Sequence, residues 1–282
     1  MVREKDSSAN ITLLNCSNKQ WLEYFCIIDN ITLIRVGFQP GIWRLRLKVD
    51  SIIQIAAVYK GENMPDSLLG GYFTRPSSGN GPGILVLHAW WGLNQSIKTT
   101  CDRLAAAGFT VYAPDLYHGK LASSIAEAES LRNQLDMGAA RQEVAAAVEQ
   151  LSTVTSIENH GIGVVGFSLG ASYALWLSGE DPEHIRAVVL FYGTGEGNFT
   201  QAKAAYQGHF AENDPYEPAE SVEWLESTLT TSGRTVAFYQ YPDTGHWFFE
   251  TDRPDTYRAQ AAQIAWERTL AFLKNWLSPS PA

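Results

Sequence analysis

A chain of 282 residues can hold one large α/β domain or two small ones, and 45% hydrophobic with 18% charged residues excludes a disordered or fibrous protein. Lys plus Arg number 21 against 30 Asp plus Glu, a net charge of −9. With no basic cluster, that balance argues against nucleic acid or an anionic membrane as partner, while a small anionic substrate served by one local arginine stays open.

Three cysteines, Cys16, Cys26 and Cys101, show no metal-type spacing, so neither a disulfide framework nor a zinc site is expected. A reducing compartment fits that usage. The opening segment MVREKDSSANITLLNCSNKQ lacks the apolar core of a signal peptide, and no run of about 18 apolar residues occurs. A cytoplasmic location with no membrane partner is the expectation.

Along the chain, residues 1 to 63 read differently from the remainder. WLEYFCIIDNITLIRVGFQPGIWRLRLKVDSIIQIAAVYK is rich in β-branched and aromatic residues and could form two or three strands. It carries no site motif, so residues 1–63 are expected to be an accessory or poorly ordered extension and residues 64–282 the functional domain. Alternation of strand and helix begins near residue 68. GILVLHAW (83–90) is a buried apolar run, followed by an amphipathic helix over 95–108 that ends at Gly108. FTVYAPDLY (109–117) reads as a strand and the stretches near 123–135 and 139–152 as helices. IGVVGF (162–167) is a third apolar strand, leading into the helix LGASYALWLSG (169–179). Strands follow at 185–193, 204–214 and 235–243, and a helix over 255–277 closes the chain. Apolar strands separated by helices imply a mostly parallel central sheet covered on both faces. Functional side chains should then sit on loops at the carboxyl ends of the strands.

Residues 160–181, HGIGVVGFSLGASYALWLSGED, carry two overlapping glycine patterns. Gly161, Gly163 and Gly166 spell a dinucleotide fingerprint, whereas Gly166, Ser168 and Gly170 spell the G-x-S-x-G nucleophile elbow. The fingerprint needs its glycines in the turn after a strand, and here they fall before and inside one. The elbow has the right setting, a strand, then Ser168, then a helix. Asp214 in FAENDPYEP and His246 in YPDTGHWFFE each follow a strand run, at separations of roughly one strand–helix unit. The order Ser, acid, His is the one expected of the α/β-hydrolase fold, so residues 64–282 are expected to form an α/β-hydrolase domain.

In that arrangement His246 takes the proton of Ser168 and Asp214 holds the imidazole. The backbone N–H groups of Leu169 and Trp90 are the expected oxyanion donors, and no metal or organic cofactor is required. Asp243, close before His246, is the rival acid, although its Pro-Asp-Thr-Gly setting favours shaping a loop. A non-catalytic ligand-binding module on the same fold is the reading from another class. An intact Ser, Asp and His in order argues against it.

These motifs resemble the dienelactone hydrolase family over roughly residues 66–277, through WGLN, APDLY, the elbow GVVGFSLGA, ENDPYEP and YPDTGHWFFE in order. The resemblance implies a hydrolase of small esters or lactones, with the nucleophile at Ser168, the acid at Asp214 and the base at His246. It also implies a carboxylate-binding arginine shortly after the histidine, to which Arg253 can correspond. Two departures stand out. The best-known members carry cysteine where this chain has Ser168, and a glutamate before WGLN where this chain has Ala89. Together they imply serine-esterase chemistry on a broader ester or lactone substrate, with thioester or peptide cleavage as alternatives on the same triad. Trp91, Tyr117 and Trp247 lie with Trp90 at strand ends and are candidates for an aromatic substrate wall. Asp115 reads as a turn cap, His118 as an exposed loop residue and His88 as packing at a strand end.

Overall fold

The computed structural model describes the backbone of residues 11–18, 21–28 and 32–38, and the full residues 70–155 and 161–277. The chain divides into two units, Met1–Ala57 and Val58–Ala282. In the first, β1 (Ile11–Asn18), β2 (Trp21–Ile28) and β3 (Thr32–Phe38) form an antiparallel sheet in chain order. The boundary expected near residue 63 lies outside the described residues.

The second unit is built on a seven-stranded sheet. Its strands are β4 (Gly71–Thr74), β5 (Gly83–Leu87), β6 (Thr110–Pro114), β7 (Ile162–Phe167), β8 (Ile185–Phe191), β9 (Ala205–Asn213) and β10 (Val236–Gly245). They lie in the order β10-β9-β8-β7-β5-β6-β4, all parallel except the edge strand β4. The helices are α1 (Gln95–Ala106), α2 (Ile125–Gln134), α3 (Met137–Val154), α4 (Leu169–Glu180), α5 (Ala219–Thr231) and α6 (Ala259–Leu277).

Side chains of the central strands alternate between two cores, as the period of two requires. Ile84, Val86, Val165, Phe167, Val189 and Phe191 face the layer of α1 and α6. Leu85, Leu87, Val164, Val188 and Leu190 face the layer of α3, α4 and α5. Because both faces are covered, the strands are apolar at nearly every position, which is why the sequence shows runs rather than alternation.

Two elements escape the sequence reading. Edge strand β4 has four residues, all half-buried. Helix α5 buries only Leu225 and Leu229, leaving little apolar periodicity to detect.

The chain leaves β5 for β6 on one side and returns to β7 on the other. The gap between β5 and β7 is therefore a topological switch point, where the loops diverge at the carboxyl edge and leave a crevice. Here β7 and α4 approach each other closely. A Cβ placed on Gly166 would lie 2.5 Å from Gly170 O, and one on Gly170 would lie 2.1 Å from Leu87 O. Every offending atom is backbone and cannot swing aside. Gly170→Ala is expected to destabilise the domain by about 3 kcal/mol or more, read as a lower urea midpoint. A midpoint unchanged from the parent would show that β5 and α4 are not held this tightly.

Candidate active site

Ser168 occupies the single residue between β7 and α4, with φ +48° and ψ −110°. For a side-chain-bearing residue this conformation is strained and persists only where surroundings enforce it. Here the Ser168 N–H donates to Phe191 O (2.9 Å), and Gly193 packs against the Ser168 carbonyl without room for a Cβ. At the starts of α1, α2 and α3 the capping side chains Asn94, Ser124 and Asp136 accept helix N–H bonds. Ser168 stands in the same place before α4 and makes no such bond. Its Oγ lies instead 2.9 Å from His246 Nε2.

The partner residues arrive through strand register. β9 and β10 pair in parallel from Val236 opposite Tyr206 to Tyr241 opposite Ala211, and then Gly245 pairs with Asn213. Between these points β10 carries a bulge of Pro242, Asp243 and Thr244. The restored register puts His246 just past Gly245 and Asp214 just past Asn213, side by side at the sheet edge. His246 Nδ1 donates to the Asp214 carboxylate at 2.7 and 2.9 Å, with the two side chains only 4% and 3% exposed. Since Nδ1 holds the proton, Nε2 presents a lone pair to the serine hydroxyl. Asp243 sits inside the bulge, exposed, with φ +56°. Its N–H donates to Glu212 (2.9 Å), so it shapes the loop and its own carboxylate is not the one against His246.

Asp214 Oδ1 also accepts the N–H groups of Tyr216 (2.9 Å) and Glu217 (3.0 Å). Glu217 in turn accepts from the N–H of Thr194 at 3.0 Å and its hydroxyl at 2.5 Å. The loops after β8 and β9 are thereby tied together around the carboxylate. Burial raises the Glu217 carboxyl above its usual range, opposed by the two Thr194 hydrogen bonds.

Of the four aromatic residues named from the sequence, three come together. Trp90 stacks on Trp247 (5.8 Å between ring centroids), and Trp91 meets Trp247 edge-on (5.1 Å). Tyr216 joins them, 5.0 Å from Trp247 and 5.1 Å from the His246 ring. Tyr117 does not join them: it packs edge-on against His88 at 5.2 Å. Arg253 lies with its guanidinium 3.5 Å from the centroid of Trp91, a cation–π stack at the back of the aromatic group. His118 is exposed and faces Glu143 at 3.4 Å, and Asp115 accepts the N–H groups of Tyr117 and Gly119 as a turn cap.

The two expected oxyanion donors are the amides of Leu169, which directly follows Ser168, and of Trp90. Leu169 is the first residue of α4, whose N–H lacks an intrahelical acceptor. Trp90 follows β5, whose end touches Gly170. Neither N–H has a backbone acceptor among the described residues. Among those residues, no group of three or more His, Cys, Asp or Glu is placed to hold a metal, and no helix is long and apolar enough to cross a membrane.

The dienelactone hydrolase family model matches residues 69–277. The chain belongs to the dienelactone hydrolase family. By family it is a hydrolase of ester bonds. Protein usf of Aquifex pyrophilus is 33% identical over 74% of this chain and 94% of its own length. A putative carboxymethylenebutenolidase of Aquifex aeolicus is 30% identical over 73% and 93%. A putative dienelactone hydrolase from Klebsiella pneumoniae superposes with a TM-score of 0.65 at 22% identity, over 73% of this chain and 92% of that one. The likeness agrees with the sheet order above and places the chain in the α/β-hydrolase fold.

Two buried residues beside this family site carry no motif. Tyr192, at φ +37°, lies 5.0 Å from the His246 ring and donates its hydroxyl to Glu250 (2.9 Å). Burial, and then the Asp252 carboxylate, push Glu250 from the usual 4.5 to about 8. An acid raised in the folded state stabilises the fold fully below its unfolded value and loses that contribution as pH climbs through its folded value. The melting temperature should therefore fall between pH 4.5 and 8 more steeply in the parent than in Glu250→Gln. Accumulated over that window, the difference in stability between the two proteins is expected to amount to a few kcal/mol. Parallel pH profiles for the two proteins would show that Glu250 is ionised at neutral pH.

Proposed function

We propose that the protein hydrolyses a carboxylic ester or lactone through an acyl intermediate on Ser168. The observation that carries this reading is the unbroken chain from Ser168 Oγ to His246 Nε2 (2.9 Å) and from His246 Nδ1 to Asp214 (2.7 Å). Neutral serine is a weak nucleophile and needs a base at hydrogen-bond distance. A base working beside a buried carboxylate is stabilised as it gains its proton.

In the first half-reaction Ser168 Oγ attacks the carbonyl carbon while His246 Nε2 takes the hydroxyl proton. The carbonyl oxygen gains negative charge, met by the N–H groups of Leu169 and Trp90. The bond to the leaving oxygen then breaks, and His246 returns its proton to that oxygen. For a lactone, the leaving alcohol stays tethered to the acyl group. Water, deprotonated by His246, then attacks the acyl carbon; the bond to Ser168 Oγ breaks, His246 returns the proton to Oγ, and the acid is released. Asp214 stays ionised throughout and fixes which ring nitrogen carries the proton.

Trp90, Trp91, Trp247 and Tyr216 form an aromatic cluster beside His246, suited to a small substrate with an unsaturated or aromatic face. The Aquifex aeolicus relative is named for a butenolide, which is a lactone, and that brings lactones into the class. A non-catalytic module would keep the pocket but gains nothing from a serine strained to face an imidazole.

Labelling with a fluorophosphonate tests the nucleophile. The parent should label and Ser168→Ala should not, with p-nitrophenyl acetate turnover falling by about 10⁶-fold. Labelling that survives in Ser168→Ala removes Ser168 as nucleophile, and a folded parent that never labels favours the binding module. Asp214→Asn should lower kcat by about 10⁴-fold, whereas Asp243→Asn should stay within about tenfold of the parent. The reverse ranking would transfer the acid role to Asp243.

A further inference from the structure

We infer that His88 is a positioning residue for the oxyanion site: its imidazole clamps the Ala89–Trp90 peptide and so aims the Trp90 N–H. The inference rests on the proposed role of that N–H. His88 is fully buried at the end of β5. Its Nε2 lies 3.1 Å from the Leu116 N–H, and its Nδ1 lies 2.7 Å from Ala89 O. A backbone N–H can only donate, so Nε2 is the acceptor and the single ring proton is on Nδ1. Nδ1–H therefore donates to Ala89 O. Burial lowers the imidazole pKa, which favours this neutral form.

Ala89 O and the Trp90 N–H belong to one planar trans peptide, in which the C=O and N–H point in opposite directions. Whatever holds the carbonyl fixes the amide. Ala89 O is held from two sides, by His88 and by the Gly92 N–H at 3.1 Å. The clamp is braced in turn. The Leu116 N–H comes from the loop after β6, and Tyr117 packs on the imidazole face. The segment after β5 is thus pinned across the sheet edge to the segment after β6. The other side of the same peptide carries the Trp90 N–H, and the Trp90 indole reaches the ring group beside His246. With both ring nitrogens engaged and no exposed surface, His88 has no route to exchange protons with a substrate.

The test compares His88→Gln with His88→Met, which differ little in volume. Gln can donate to Ala89 O and accept from Leu116 N–H; Met can do neither. With p-nitrophenyl acetate, His88→Met should lower kcat by about 10- to 100-fold, with KM within about threefold and the pH midpoint of kcat unchanged. His88→Gln should recover most of the loss. A trifluoromethyl ketone, which forms an oxyanion adduct, should lose affinity for the Met variant in step with kcat. Equal kcat in the two folded variants, a loss carried by KM, or a shifted pH midpoint would each overturn the positioning role. If His88→Met does not fold, His88→Gln against the parent decides: an unchanged pH midpoint and KM with kcat within about tenfold supports the clamp, and any other result overturns it. Retained activity in Ser168→Ala would instead overturn the nucleophile reading on which the inference depends.

Discussion

The structure depends on one close approach, that of β7 and α4 at Ser168. To turn from strand to helix in a single residue, Ser168 takes φ +48°, and the helix axis must start almost in contact with the strand. Only glycine at 166 and 170 leaves space, and Gly170 extends the contact to the backbone of β5. The strain has two chemical consequences. The serine side chain cannot fold back to cap its own helix, as Ser124 does for α2, so Oγ stays available. The first N–H groups of α4 keep their partial positive charge beside it, where an oxyanion would form.

Around that fixed point the other groups are placed by backbone devices more than by side-chain packing. The β10 bulge sets His246 level with Asp214, and two backbone N–H groups hold the carboxylate. Such charge-assisted bonds in a buried setting are worth about 1.5–3 kcal/mol each. They outweigh exposed contacts such as Lys203–Glu183, which lie in solvent and are screened. Glu217 extends the same logic: its half-buried carboxyl near Asp214 is met by two donors from Thr194. The strongest polar interactions thus gather at the carboxyl edge of the sheet.

How much of this was legible in the sequence varied with the kind of signal. Apolar runs such as GILVL and IGVVGF mark buried strands without help from context, and Ser168, Asp214 and His246 are visible because a nucleophile elbow requires its partners in a set order. Edge strand β4 and the exposed helix α5 bury too little to leave a period. Tyr117 looked equivalent to Trp90 and Trp91, since all three follow apolar strands. The structure separates them because the loop after β6 turns Tyr117 back onto His88, whereas the loop after β5 turns Trp90 toward His246. Tyr192, Glu217 and Glu250 carry no motif, and their significance arises only from what the fold brings against them.

Alanine at position 89 fits the same geometry. This position is 1% exposed and packed in the core formed with Trp91 and Leu93. A carboxylate there would be stripped of water, would need a dedicated partner and would add a standing charge just past β5. A thiolate nucleophile is charged before reaction and gains from such control. A serine hydroxyl is neutral at rest, so a standing charge beside it has no ground-state task. With alanine here, the peptide that follows is fixed by neutral hydrogen bonds, from His88 and from the Gly92 N–H. A neutral serine at 168 and an alanine at 89 are thus compatible with each other, and Asp214 is left as the carboxylate held against His246.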